Sequence, residues 1–509
     1  MLAAFTRSGY TSLRPHEHPT AARNLPMART DDLAEVTATA PITPAVSSTG
    51  WASLGQLTRY HWFVFSVAAI AWMADCMDQQ LFTLARKTAI TDLTGGDPDN
   101  KIVTTFTTWS TSIFLIGWGA GGLIFGMFGD RLGRVRTLTL TILLYSIFTG
   151  LSAISHNVWD FCAYRFLTGL GVGGVFAAAV ALLAETMPPA ARPYTLGLMQ
   201  AVSAFGNCTA ALLFMGLGLL ELYGHLELIK PLTAWRALFL IGIVPAVLVI
   251  FIQRRLKEPV SWQQARDAAA AGIGKKLGSY AELFGEGWIR RNALLGMFLA
   301  FSGVVGLWAI GFFSYDLQQT IFKPIFEAEA KQLGLTGAEA ARYQKGQGII
   351  WAGVTSLMMN VGAFFGMSAF SWLTQHIGRR PAFAVTFLMA AVSTGGLFLF
   401  MTTRADIIWM TPIMGFFQLA LFGGYAIYLP ELFPTRLRAT GTSFCYNVGR
   451  FVAATGPLML GILTNDVFTK EKGFAEPHRY AGLAMCSIFL IGIAVLPFLP
   501  ETKGQPLPE

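Results

Sequence analysis

Charge is what this chain has least of. Only 13% of its 509 residues are Asp, Glu, Lys or Arg, about half of the roughly 25% typical of soluble domains. That share cannot clothe a water-facing surface of this size, so a string of soluble domains is excluded. Cysteine is scarce as well. Cys76, Cys162, Cys208, Cys445 and Cys486 each lie inside an apolar run, without CxxC spacing or a histidine cluster beside them. Neither a disulfide framework nor a zinc site is expected from that pattern. No Ser/His/Asp constellation stands out, and no polar segment is large enough to house an enzyme, so no catalytic residue, metal or cofactor is expected. The basic excess of +8 is spread over short connectors rather than pooled in one patch. Nucleic acid is therefore set aside as a partner, and membrane topology accounts for the basic residues. A continuous apolar h-region is missing from residues 1–58, which read as a flexible tail rather than a signal peptide. Arg7, Arg14, Arg23 and Arg29 would suit a transit peptide, but Glu17, Asp31, Asp32 and Glu35 oppose one.

Long apolar runs are what the chain has in abundance: 53% of its residues are hydrophobic, and the mean hydropathy is +0.51. A helix crossing the roughly 30 Å hydrocarbon core needs about 20 mostly apolar residues. Twelve runs qualify, at about 61–84, 106–128, 137–155, 160–184, 194–220, 236–253, 292–315, 349–373, 382–402, 406–429, 441–463 and 481–499. The fold class is thus all-α, a polytopic membrane protein of twelve transmembrane helices. Arginine and lysine crowd alternate connectors, including Arg131, Arg134 and Arg136, then Arg192, the 254–291 stretch, Arg379 and Arg380, and Arg436 and Arg438. The positive-inside rule then places both termini in the cytoplasm.

The chain also repeats itself. Gly133-Arg134 recurs as Gly378-Arg379, and the Glu185, Pro188, Arg192 spacing recurs as Glu431, Pro434, Arg438. Lys257-Glu258-Pro259 is echoed by Pro500-Glu501-Thr502. The offsets are 245, 246 and 243 residues (378 − 133, 431 − 185, 501 − 258), which implies two pseudo-symmetric six-helix bundles. Such paired halves, with a site between them, are an architecture of secondary transporters. The expected layout is a tail (1–58), a first bundle (59–253), a cytoplasmic linker (254–291), a second bundle (292–499) and a C-terminal tail (500–509).

Several motifs carry a family resemblance. Gly126, Asp130, Arg131, Gly133, Arg134 and Arg136 stand in GMFGDRLGRVR between spans two and three. Arg165, Gly169, Gly171, Gly173 and Gly174 form an RxxxGxGxGG run in span four, and PELFPTRLRATG (430–441) and PETKG (500–504) follow later. In this order and over nearly everything after residue 60, the chain resembles the major facilitator superfamily. The second-half counterpart of the first loop keeps Gly378, Arg379 and Arg380 but has Gln375 where an aspartate might be looked for. The resemblance implies that Glu185, Arg192, Glu431, Arg436 and Arg438 join the loop residues in a cytoplasmic latch. Asp130 near a helix N-terminus would add about 0.3–1 kcal/mol to such a latch. The span-four glycines also satisfy GxGxxG, but that fingerprint needs a preceding strand and a helix start, and close helix–helix approach explains mid-helix glycines better.

Charges inside the spans need reasons, since one at mid-bilayer costs about 2.5–3.5 kcal/mol even on a lenient scale. Span one carries Asp75 and Asp78, three apart and on one helical face. With Asp316 they are the proton-coupling candidates, and Asp75 or Asp78 is expected to pair with Arg165 of span four. Arg450, Asn447 and Tyr446 of span eleven are substrate-binding candidates. Arg165, Gln418, Tyr425, Gln318 and Gln319 complete that set, and Gln200, Asn207 and Tyr428 are further polar groups within spans. Sugar porters of the resembled family usually show a Gln-Gln-x-x-Gly run in span seven, where this chain has FSGVVGLWAIGFF. Its metabolite and sialate symporters often carry an acid directly after the span-four glycines, where Val175 stands here. The resemblance is nearest to organic-acid:proton symporters. A small organic solute, expected to be a carboxylate, would cross with protons by alternating access, in a bacterial inner membrane and as a monomer. A sugar or drug carrier of the same fold, or a nontransporting receptor, is the alternative.

Overall fold

The computed structural model describes residues 50–95, 101–223, 225, 233–456, 459, 462–474 and 476–508. Every regular element among them is helical. The first half holds α1 (Arg59–Thr94), α2 (Lys101–Arg131), α3 (Arg134–Ser152), α4 (Val158–Thr186), α5 (Arg192–Leu222), α6 (Ala234–Ile241) and α7 (Leu248–Arg255). Two short helices follow, α8 (Val260–Ala270) and α9 (Tyr280–Gly285). The second half holds α10 (Gly287–Val305), α11 (Phe312–Gln332), α12 (Gly337–Ile377), α13 (Arg379–Phe400), α14 (Arg404–Tyr428) and α15 (Arg438–Ala453). It ends with α16 (Pro477–Met485) and α17 (Ile488–Val495).

Nine helical stretches among the described residues are long and apolar enough to cross a membrane. Spans one, six and eleven complete the twelve, and each departs from that simple pattern for a visible reason. Helix α1 is 36 residues long but carries Asp75 and Asp78. Span six breaks at a 3-10 turn over Val244–Val247, where Pro245 lacks the N–H that a continuous helix requires. Span eleven is α15 followed by a π-helical turn at Leu463–Val467. Span seven runs on through a π-helical turn at Gly306–Gly311 into α11. The 316–348 connector is therefore mostly helix rather than loop. Its Ala, Glu, Lys and Gln residues are good helix formers, and the helix outlasts its apolar stretch.

Packing repeats as the sequence does. Helix α2 packs on α4, α3 on α4 and α1 on α5 in the first half; α12 packs on α14, α13 on α14 and α10 on α15 in the second. The halves meet along α2 with α15 and α5 with α12. Glycines set the tightest contacts. A Cβ on Gly121 would lie 1.9 Å from the Leu170 carbonyl oxygen, and one on Gly366 would lie 2.0 Å from that of Phe416. Gly121 and Gly366 are separated by the same interval as Gly133 and Gly378, so these two close approaches are themselves a repeat. The span-four glycines serve the same packing: Gly169 and Gly173 face backbone of α2 at 2.3 Å. Gly121→Ala is therefore expected to destabilise the detergent-solubilised protein by about 1–3 kcal/mol, the usual cost of forcing atoms into a filled interface. Gly216, with nothing within 4 Å of its added Cβ, is the control. Thermal unfolding should separate the two variants clearly.

Candidate functional site

One end of the molecule is closed by buried charge. Arg134, at the start of α3, places Nε 3.0 Å from Glu185 Oε2 and Nη2 2.7 Å from Oε1. The same Nη2 donates to the Thr435 carbonyl of the other half at 2.8 Å. Arg438 reaches Glu185 Oε1 from the second half at 2.9 Å, so one carboxylate lies between guanidinium groups of both bundles. Asp130 pairs with Arg134 at 3.1 Å. It also accepts the Ala439 N–H, the Thr440 N–H and the Thr440 hydroxyl at 3.1, 2.8 and 2.6 Å. Asp130 thus caps the N-terminus of α15 across the interface, satisfying orphan donors there. Two carboxylates and two guanidinium groups, all buried, balance in charge. The pseudo-symmetric interface lacks that cap: Gln375 stands where the cap would be, its Nε2 without a hydrogen-bond partner. The linker helices bind the same end, with Trp262 Nε1 donating to the Asp130 carbonyl and Arg436 pairing with Glu282 at 2.7 Å. Arg131 donates to the Gly278 carbonyl.

Two further carboxylates explain the repeated Gly-Arg pair. Glu258 accepts from the N–H groups of Arg134 and Val135 at 2.7 and 3.0 Å, and Glu501 accepts from those of Arg379 and Arg380 at 2.9 and 3.1 Å. Each carboxylate fits over a glycine of positive φ, 114° at Gly133 and 93° at Gly378. A Cβ at Gly133 would sit 2.2 Å from Glu258 Oε1. Burial outweighs the hydrogen bonds at Glu258 and raises its carboxyl above the usual glutamate range. At Glu501 burial also acts upward, but the Arg379, Arg380 and Lys503 N–H groups outweigh it and lower the carboxyl. A lowered folded-state value means Glu501 contributes stability above its unfolded value, about 4.5, and loses that contribution as pH falls through the folded value. Glu501→Gln should therefore lower the melting temperature at pH 7, with the gap to wild type closing as the pH falls through the folded-state value.

Between the halves, away from this charged end, lies a cavity with about 750 Å³ of empty space, open solvent included. Trp72, Cys76, Gln79 and Gln80 of α1, Trp118 of α2 and Gln200, Ser203 and Asn207 of α5 line one side. Leu307, Trp308, Met359, Asn360, Leu419, Phe422, Tyr446 and Arg450 belong to the other half. Asn207 Nδ2 donates to Asn360 Oδ1 at 2.8 Å and Gln80 Nε2 to Ser356 Oγ at 2.9 Å, joining the halves beside it.

Arg450 is the charged group of the cavity lining. Its guanidinium lies over the Trp118 ring at 3.8 Å and the Tyr446 ring at 4.4 Å. Nη1 donates to the Tyr446 carbonyl and to Asn447 Oδ1 at 2.6 and 3.1 Å. Nε and Nη2 have no partner, and these two form the fork edge that grips a carboxylate. Trp118 Nε1 and Gln200 Nε2 are also unpartnered; the Gln200 amide is oriented by Trp72 Nε1 donating to its Oε1 at 2.7 Å. Among the described lining residues, every buried polar atom without a partner is thus an N–H donor. Walls of Trp, Phe, Leu and Met surround them. The chemistry complementary to this lining is a small apolar body with acceptor oxygens.

Asp75 stands one step behind the lining, where Gln79 Nε2 donates to its Oδ2 at 2.7 Å. Asp78 is deeper inside the first bundle, 4.0 Å from Arg165 Nη1. Arg165 also bonds Ser152 Oγ through Nε and Nη2 at 3.0 and 2.7 Å, and its guanidinium lies 4.7 Å from the Phe239 ring. The pairing expected of span one with span four is therefore made by Asp78.

The substrate-binding candidates divide. Tyr446 and Arg450, four apart on α15, face the cavity. Asn447 turns into the helix interface, its amide on Ser443 and the Gly173 carbonyl, and touches the site only through Arg450. Gln418 donates to Thr394, Tyr425 to the Leu299 carbonyl, and Gln318 accepts from Thr355. These three, with Arg165, are held by neighbours within their own bundles and are not among the described lining residues, because one step along a helix turns a side chain by about 100°. The side chains of Asp316 and Gln319 lie outside the described residues. In the charged end, Gly126 packs on Ser443, Arg379 pairs with Glu431 at 2.8 Å, Arg380 donates to the Pro497 carbonyl, and Arg192 reaches the Met187 carbonyl at 3.5 Å. Trp72, Trp118, Gln79, Glu258 and Glu501 carry roles that sequence reasoning missed. Only the Glu258 and Glu501 repeat offered a signal.

Twelve spans in two repeated bundles, with a polar cavity between them, define a polytopic membrane carrier. The chain belongs to the Major Facilitator Superfamily, whose family model matches residues 62–457; it is an integral membrane transporter of small molecules, not an enzyme. It is 30% identical to a candidate metabolite transport protein of Haemophilus influenzae, over 92% of this chain and 100% of that protein. It is 28% identical to a cis,cis-muconate transport protein of Acinetobacter baylyi, over 70% of this chain and 77% of that one. The solved structure of the proton:xylose symporter XylE bound to 6-bromo-6-deoxy-D-glucose shares the fold, with a TM-score of 0.64 and 17% identity, covering 88% of this chain and 98% of that one.

Proposed function

We propose that this protein is a symporter that imports a small organic carboxylate together with a proton. The observation that carries the reading is the cavity's surplus of unpartnered donors, led by the free fork edge of Arg450. An anion satisfies them with acceptor oxygens alone, and a carboxylate matches the two-donor edge of Arg450. The muconate transport protein among its relatives carries a solute of the same chemistry. Asp75, joined to the lining through Gln79, and the Asp78–Arg165 pair take the proton. An anion seated on Arg450 cancels the positive charge facing Asp75 and favours the protonated carboxyl, which couples the two loads. The Asp130–Arg134–Glu185–Arg438 cluster is the cytoplasmic latch, closed here, and its polar contacts let water replace them when the halves rock apart. Both termini are then cytoplasmic and the membrane is the bacterial inner membrane, with one chain as the working unit.

A counterflow assay in proteoliposomes tests the substrate class. Monocarboxylates such as benzoate and dicarboxylates such as cis,cis-muconate are offered beside xylose and a cationic drug. Exchange of a carboxylate supports the reading; exchange confined to xylose or the drug contradicts it.

A further inference from the structure

The first bundle contains a second polar cluster that the substrate cavity does not use. Asp75 and Asp78 share a face of α1, and Tyr145, Thr149 and Ser152 share a face of α3 at helical spacing. The two helices touch. Tyr145 lies within electrostatic reach of both aspartates, and the Thr149 hydroxyl faces Asp78. Ser152 holds Arg165. All of these side chains are fully buried. The Asp75 Oδ1, both Asp78 oxygens, the Tyr145 and Thr149 hydroxyls, Ser146 Oγ and Arg165 Nη1 nevertheless have no hydrogen-bond partner.

Each such atom left dry costs about 1–3 kcal/mol. Together they are the kind of setting in which buried water is held by otherwise unsatisfied polar groups. The cluster has two ends. Asp75 leads to the cavity through Gln79. Beyond Arg165 and Ser152, Ser155 donates to the Ser152 carbonyl, and Arg236 donates to the Ser155 and Ala153 carbonyls. Arg236 in turn lies 3.8 Å from the half-exposed Asp92. Polar groups therefore run from the substrate cavity to the protein surface inside one bundle. Gly242, at the break in span six, forms part of the wall: a Cβ there would lie 3.2 Å from Asp78 Oδ1 and 2.2 Å from Thr149 Cγ2. The titratable and charged groups facing the path are Asp75, Cys76 and Asp78 from α1, Tyr145 from α3, Arg165 from α4 and Tyr446 and Arg450 from α15, with Asp92 and Arg236 at its outer end.

We propose that Tyr145 and Thr149 relay protons along a hydrated path inside the first bundle, from the Asp78–Arg165 pair to Asp75, separate from the route the substrate takes. This rests on the proton-coupled reading above. Each hydroxyl oxygen accepts one proton from the water before it and releases its own to the water after it, so both side chains end unchanged. The proton finishes on the Asp75 carboxylate, which goes from charged to neutral. No bond other than O–H is made or broken.

Time-resolved infrared absorption of the full chain after a rapid pH drop reads proton arrival without any substrate. Asp75→Asn and Asp78→Asn assign the protonated carboxyl C=O bands. In Tyr145→Phe and Thr149→Val the Asp75 band should grow at least tenfold more slowly to an unchanged final amplitude. Thr149→Ser, which keeps the hydroxyl, should restore the rate and exclude a merely structural effect. Wild-type rates in both Tyr145→Phe and Thr149→Val would overturn the relay while leaving the carboxyl bands in place. If Asp75→Asn and Asp78→Asn each remove no band, the proton-coupling reading itself fails, and the relay with it.

Discussion

Arg450→Ala is expected to weaken carboxylate binding by about thirtyfold or more, with the folded protein retained. Truncating one partner of a buried charge-assisted contact costs about 2–5 kcal/mol, and about 1.4 kcal/mol is tenfold in affinity. The side chain qualifies because Nε and Nη2 are free while Nη1 is fixed by Tyr446 and Asn447. The fork is therefore already oriented before any ligand arrives, and the Trp118 and Tyr446 rings hold its plane. Arg450→Lys should fall between the two, since an ammonium keeps the charge but loses the planar two-donor edge. Retention of fold is expected because the rings and the Nη1 acceptors have their own packing. Isothermal titration with an exchanged carboxylate, beside a thermal-unfolding control, reads both quantities.

Asp75→Asn should abolish accumulation while leaving exchange. At one proton per monovalent anion the transport step is electroneutral, so a difference of one pH unit is worth about 1.36 kcal/mol and drives about tenfold accumulation. Without a titratable group at position 75 the gradient has no hold on the cycle, and the internal-to-external ratio should settle near one. Counterflow needs no net proton movement and should persist, because asparagine still accepts the Gln79 hydrogen bond that Asp75 accepts at 2.7 Å. Loss of both activities would point instead to a positional role for the carboxylate.

The sequence exposed the parts of the machine that break lipid's rules. A charge inside an apolar run is conspicuous because its burial is costly, and Asp75, Asp78, Arg165 and Arg450 all prove to be buried and polar-contacted. The repeated Gly-Arg and Glu–Arg spacings marked the charged end, since salt-bridge geometry at a helix start needs those residue types. Individual faces were harder to read. On α14 Leu419 and Phe422 face the cavity while Gln418 binds Thr394, because the polar residue stands one step around the helix. Tyr425 is satisfied by a carbonyl of α10, a contact that no local pattern announces. Trp72 and Trp118 were invisible for a different reason. Aromatics and amides are ordinary in packed membrane helices, and only the third dimension reveals which donors are left unpaired.

The account stands or falls on proton and organic acid sharing one cycle. A pyranine-loaded proteoliposome reports internal pH while a carboxylate that passes the counterflow assay is added outside, with no imposed gradient. The account predicts internal acidification that begins with the addition, tracks labelled uptake with a fixed ratio, and vanishes in Asp75→Asn. Carboxylate uptake at full rate with no change in internal pH would contradict it.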